Sequence, residues 1–208
     1  MRSCRGRSVP AEEDEGTVTR KEKYMTDFNI HTFESAPQDS KPALELLQRQ
    51  VGFIPNLAAT MAESPYLLEA FTSLRAINGR GAFTPVEREA IALAVSFENN
   101  CTYCMAAHST FARKNGIPEE DLRLLRAGKS PSDPRLQAII ALARQIVRSK
   151  GHLASEDIQR FLKAGFSRAQ LLEVVLGITS TSISNYMHNI AKTPIDDAFL
   201  AQSWTASS

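Results

Sequence analysis

Cys101 and Cys104 stand three residues apart in the stretch NNCTYCMAAH, residues 99–108, with His108 four residues beyond the second. Thiols that close together can form a disulfide, hold a metal or pack as small apolar side chains. On a helix, a spacing of three puts both sulfurs on one face, and a further four puts the imidazole there too, one turn along. A cysteine in the first turn of a helix meets unpaired N–H groups and the positive end of the dipole, which favour thiolate over thiol. An imidazole beside it can take or return a proton during thiol chemistry.

Two carboxylates precede the pair. Glu87 stands three residues after Thr84, the position that closes a capping box, and reads as a cap. Glu89 is the free one. In an unbroken helix it would lie about 18 Å from Cys101, so it reaches the site only if the chain reverses at Glu98-Asn99-Asn100. A carboxylate folded back beside His108 would orient the ring and raise its basicity.

Zinc is the competing reading of the same residues. A closed site takes four ligands, and the chain offers no second close Cys or His pair beside Cys101, Cys104 and His108, so neither metal nor cofactor is expected. His31, in the polar lead-in, reads as inert, and His152 and His188 as surface or packed side chains.

The elements that must position this group are all helices. No run of four to eight residues alternates apolar and polar between turn signals as a strand would, and the pattern predicts an all-α, compact multi-helix bundle. Ser40 and Gly52 frame a first helix, and Pro55 and Ser64-Pro65 open two more, the second ending near Asn78-Gly79. Thr84-Pro85-Val86-Glu87 starts the apolar run Ile91, Leu93, Ala94, Val95, Phe97. Asn99 and Asn100 interrupt it and are expected to cap a helix from about Cys101 to Lys114, stopped by Asn115-Gly116. Segments 118–127, 134–150 and 155–164 end at Gly128, Gly151 and Gly165. Ser167 to Gln170 is a second capping box, opening a long helix past Tyr186 and His188 that halts before Thr193-Pro194, and residues 194–200 add a short last one.

FTPVEREAIALAVSFENNCTYC from Phe83 faintly echoes FSRAQLLEVVLGITSTSISNYM from Phe166, with both capping boxes, Leu93 with Leu176 and Tyr103 with Tyr186 in step. That suggests an internal helical repeat in which Ser184 and Met187 take the cysteine positions. The run TSTSIS, residues 179–184, reads as small residues where helices pack closely, with no catalytic role.

Composition narrows the function classes. The 208 residues are 43% hydrophobic and 23% charged, with a formal net charge of +1, an ordinary globular balance without a basic stripe for nucleic acid. AIALAV at 90–95 is far short of the roughly 18 to 20 apolar residues of a membrane span. Residues 1–24 are polar, mixed in charge and without an apolar h-region; they read as a disordered extension before one all-helical domain over 25–208, with Met25 a candidate natural start and Cys4 idle. Without an export signal the reducing cytosol is expected, where a close cysteine pair is more often catalytic or metal-binding than a structural staple.

The combination of Glu89, Cys101-Thr-Tyr-Cys104 and His108, within EREAIALAVSFENNCTYCMAAH, resembles the alkylhydroperoxidase D-like, or carboxymuconolactone decarboxylase-like, all-helical family. GFIPNLAATMAESPYLLEAF, residues 52–71, is similar to the lead-in of its peroxidase-related branch, and the resemblance covers roughly residues 40–190. It implies a thiol-dependent peroxidase in which Cys104 attacks an organic or hydrogen peroxide, Cys101 resolves the product as a disulfide, and Glu89 with His108 relays the proton. It also implies a dithiol reductant, lipoyl-bearing or thioredoxin-like, and a homo-oligomer, trimer or hexamer. The decarboxylase branch usually lacks the cysteine pair. This chain departs from the best-known peroxidase of the family at Tyr103, where that protein has a second histidine between the cysteines. Two other functions share these residues: a general thiol-disulfide oxidoreductase, and a non-enzymatic oligomeric module with idle cysteines.

Overall fold

The computed structural model describes residues 28–205. The proposed extension at 1–24, Cys4 and Met25 lie outside them. Among the described residues there is no strand, and nine α-helices follow one another: α1 Lys41–Val51, α2 Asn56–Met61, α3 Pro65–Gly79, α4 Pro85–Glu98, α5 Thr102–Lys114, α6 Glu119–Arg126, α7 Pro134–Ser149, α8 Ser155–Lys163 and α9 Arg168–Ala191. The all-α expectation holds. The short last helix is a 3-10 helix, Asp197–Gln202, beginning later than the sequence suggested. Its start follows Asp196, whose carboxylate is engaged by Tyr103 and by the Asn56 N–H.

Helix α4 organises the bundle. Its capping box is complete, with Thr84 Oγ1 accepting from Glu87 N at 3.2 Å and Glu87 Oε2 accepting from Thr84 N at 2.8 Å; a cap of this kind contributes about 1 kcal/mol. Beyond the first turn, every side chain from Ala90 to Ser96 is buried, so this helix is apolar nearly all round and runs through the interior with α5, α7 and α9 packed on it.

Two apolar clusters lie on either side of α5. Met105 and Ala112 face the larger one, built with Ile91, Leu93, Ile139, Ile140 and Phe161. Cys101, Tyr103, Cys104, Ala106 and Ala107 face a second, closed over by Leu44, Leu57, Met61 and Leu68 from α1 to α3 and by Phe199. The cysteines thus sit under a roof of N-terminal helices.

Gly128 shows how tightly the large cluster is closed. Its φ is +71°, and a Cβ there would fall 2.3 Å from Phe97 Cζ. Gly128→Ala is therefore expected to lose about 2–4 kcal/mol, from the left-handed backbone and the displaced ring together. A shift of the urea midpoint to lower concentration, at unchanged slope, is the measurement.

Candidate functional site

The reversal between α4 and α5 is what assembles the site. Asn100 sits in the left-handed region at φ +50°, Cys101 N–H bonds Ser96 O at 2.9 Å, and Asn100 N–H bonds Phe97 O at 3.1 Å. Those two bonds form a Schellman ending with asparagine in the usual glycine position. The asparagines therefore terminate α4 rather than capping α5, as the sequence suggested. Cys101 itself is the N-cap: its Sγ accepts from Cys104 N at 3.3 Å. The turn is pinned to α9, since Asn99 Nδ2 donates to Asn185 Oδ1 at 2.9 Å and Asn189 Nδ2 donates to Asn99 O at 2.8 Å.

Because the chain doubles back here, Glu89 on α4 meets His108 on α5, with Oε2 2.8 Å from Nδ1. Both side chains are mostly buried, at 17% and 15% exposure. All four candidate residues are brought into one region. Cys104, His108 and Glu89 line a cavity of about 280 Å³, while Cys101 lies behind Cys104 with no exposed surface. Leu57, Phe71, Phe111 and Phe199 supply apolar walls.

Both thiols are free, and their electrostatics differ. Burial opposes charge on Cys104, yet the hydrogen bond from Cys101, the positive charge of His108, and hydrogen bonds from Asn185 and Ser184 outweigh it and hold this thiol below the ordinary cysteine range. Cys101 moves the opposite way. Burial, then the hydrogen bond and negative charge of Cys104, push it far above that range, although the Cys104 backbone N–H works against the shift. The helix start therefore does not act on both sulfurs alike: the surroundings favour the charged form of Cys104 and oppose that of Cys101.

Tyr103 does not stand in for a proton relay. Its hydroxyl donates to Asp196 Oδ2 and accepts from Leu57 N at 3.4 Å, while burial and the carboxylate push the phenol far above its usual range. It is a neutral tether from α5 to α2 and the end of the chain. His188 is packed, as expected: Nε2 lies 2.9 Å from Thr102 Oγ1, and burial followed by Lys192 brings the imidazole down to about 4. His31 is fixed to Glu63 at 2.8 Å, a link between the lead-in and the end of α2.

Sequence reasoning missed Asn185, Ser184 and Arg75. The run at 179–184 is where α9 approaches closely, since a Cβ at Gly177 just before it would lie 3.0 Å from Ile91 Cγ2. Even so, Ser180, Thr181 and Ser184 also line the cavity. The suggested repeat stops at the break: α9 runs on unbroken where α4 gives way to α5, and Tyr186 is exposed where Tyr103 is buried. Among the described residues, no group of three or more His, Cys, Asp or Glu side chains is placed to hold a metal ion. Among them too, no helix is long and apolar enough to cross a membrane.

Residues 65–145 match the carboxymuconolactone decarboxylase family. No curated protein matches the chain in sequence. Among the solved structures that share its fold are three described in turn. An alkylhydroperoxidase AhpD core, an uncharacterized peroxidase-related protein from Ralstonia eutropha JMP134, is 23% identical with a TM-score of 0.76 over 84% of this chain and 94% of its own. A peroxidase-related protein from Silicibacter sp. TM1040 is 21% identical with a TM-score of 0.74, over 89% and 99%. A cysteine-to-alanine variant of the debrominase Bmp8, in complex with 2,3,4-tribromopyrrole, is 22% identical with a TM-score of 0.72, over 86% and 96%.

Proposed function

Starting from an alkylhydroperoxidase D-like fold whose central segment matches the carboxymuconolactone decarboxylase family, we propose that this chain is a thiol-dependent peroxidase. The observation that carries the reading is one cavity holding Cys104, held below the usual thiol range, together with a His108 bonded to Glu89. Cys104 thiolate attacks the terminal oxygen of a hydroperoxide, the O–O bond breaks, and the alcohol leaves with a proton. With Glu89 accepting from Nδ1–H, Nε2 of His108 is the nitrogen left to supply that proton. The Cys104 sulfenic acid condenses with the Cys101 thiol, releasing water and forming a disulfide. A dithiol donor then returns both sulfurs to thiols.

Burial bears on the reductant. Cys104 is 2% exposed and Cys101 0%, beneath the roof of α1 to α3. A slender dithiol such as a dihydrolipoyl arm can enter the cavity, whereas a thioredoxin-like domain needs sulfur at a surface. The same burial argues against a general protein disulfide reductase. A reducing compartment such as the cytosol suits a cycle that must restore two thiols. Peroxide consumption coupled to dihydrolipoamide oxidation tests the proposal. No consumption of any hydroperoxide, with both thiols intact after mild peroxide, would leave the non-enzymatic module standing.

The aromatic walls Phe71, Phe111 and Phe199 favour a second reading, since one similar structure is a debrominase holding a brominated pyrrole. The same pair could replace a carbon–bromine bond by carbon–hydrogen, releasing bromide and a proton as the disulfide forms. Bromide release from 2,3,4-tribromopyrrole without peroxide turnover would select it.

The proposed homo-oligomer has a candidate surface. Leu172, Val175, Tyr186 and Ile190 are exposed along α9. Their spacings of three, eleven and four residues keep them near one stripe of that helix. A charge introduced by Ile190→Glu is expected to reduce the sedimenting species to the 22.9 kDa monomer; an unchanged mass would remove α9 from the interface.

A further inference from the structure

The catalytic group accounts for one end of the cavity and leaves Arg75 unexplained. Arg75 comes from α3, the helix of the roof, and its side chain lines the cavity with Cys104, His108 and Glu89. Its guanidinium carbon lies 5.4 Å from the centre of the Phe71 ring, which holds one side of the group. Its Nε is buried without a hydrogen-bond partner. Among the described residues Arg75 forms no ion pair; the nearby carboxylate, Glu89, is committed to His108.

A buried guanidinium nitrogen left without an acceptor costs free energy that a bound acceptor would recover. Arg88 lines the same cavity and donates to Phe83 O. Arg75 and Arg88 thus both border the cavity, and Glu89 is the one carboxylate among its lining residues. Leu47, Val51, Leu57 and Phe199 give it apolar walls, and Ser180, Thr181 and Ser184 a neutral polar one. A ligand matched to these surfaces has an apolar body and one anionic end of planar, two-oxygen shape, the geometry a guanidinium binds in bidentate fashion.

We infer that the preferred substrate is an organic hydroperoxide carrying a carboxylate, with Arg75 as the residue that binds the carboxylate while the peroxide reaches Cys104. The inference rests on the peroxidase reading and narrows it to a substrate class.

A matched pair of probes isolates the charge. Para-carboxycumene hydroperoxide and its methyl ester differ at the distal end and not at the reacting bond. The wild-type protein is expected to prefer the acid by about tenfold or more in kcat/KM, the value of one charge-assisted contact, with the difference in KM. In Arg75→Gln that ratio is expected to fall to near one, and in Arg75→Lys to return in part. A wild-type ratio near one, or a ratio that survives Arg75→Gln, overturns the inference while leaving peroxidase activity in place. Should neither probe be consumed, calorimetry with para-isopropylbenzoate decides the site alone. Binding that weakens about tenfold in Arg75→Gln supports the carboxylate site, and binding that is absent or insensitive to the change rejects it.

Discussion

Cys104→Ser is expected to abolish peroxide consumption, a loss on the order of a thousandfold or more, because the nucleophile and the oxygen acceptor are then both missing. Cys101→Ser should fail differently. One equivalent of peroxide is consumed, Cys104 gains one oxygen by mass, and turnover stops for want of the thiol that closes the disulfide. Alkylation by iodoacetamide adds a test that needs no substrate. A thiol held below its ordinary range carries more thiolate at neutral pH than a free cysteine, so Cys104 should react faster at pH 7 and its rate should fall off at a lower pH than a free cysteine's does. Cys101, held far above that range, should stay unmodified. Cys101→Ala removes a hydrogen bond that favours the Cys104 thiolate, so the alkylation profile should move to higher pH. Equal reactivity of both sulfurs, or an unmoved profile, would remove the division of roles.

Most of the helix boundaries were legible because they are written in local backbone chemistry. Thr84-Pro85, Ser167, Gly52 and Asn115-Gly116 act within one turn of where they stand, and each begins or ends a helix as read. The reversal at 98–100 was legible for the same reason, and with it the meeting of Glu89 and His108. What the asparagines do there was not. An asparagine before a helix can equally end the previous one, and only the positive φ of Asn100 shows that it closes α4 and leaves the capping of α5 to a sulfur. Asn185 and Ser184 were invisible in another way. They lie eighty or more residues from the cysteines, in a run of small polar side chains whose pattern says only that helices approach closely. Tyr103 was read only as a departure from the second histidine of the family's best-known peroxidase, because the residue alone does not reveal that Asp196, ninety-three residues away, takes its hydroxyl. Arg75 carried no signal at all, since an arginine on an amphipathic helix is ordinarily a solvated one.

Glu89→Gln separates a proton relay from a merely well-packed ion pair. Glutamine can still accept from His108 Nδ1–H, so the 2.8 Å contact is geometrically replaceable; the negative charge is not. If the pair supplies the proton that leaves with the alcohol, the loss must depend on how much that alcohol needs it. With tert-butyl hydroperoxide, whose alkoxide is a poor leaving group, Glu89→Gln is expected to lower kcat about 10- to 100-fold and His108→Ala about 100- to 10,000-fold. With peracetic acid, which expels a carboxylate needing no proton, both variants should come within about threefold of wild type. The formation of Cys104 sulfenic acid in a single turnover, followed by mass, places the loss in the oxidative half of the cycle. A loss of the same size for both oxidants would mean that Glu89 and His108 hold Cys104 in position or preserve its charge, and the proton would have to reach the alcohol from water in the cavity.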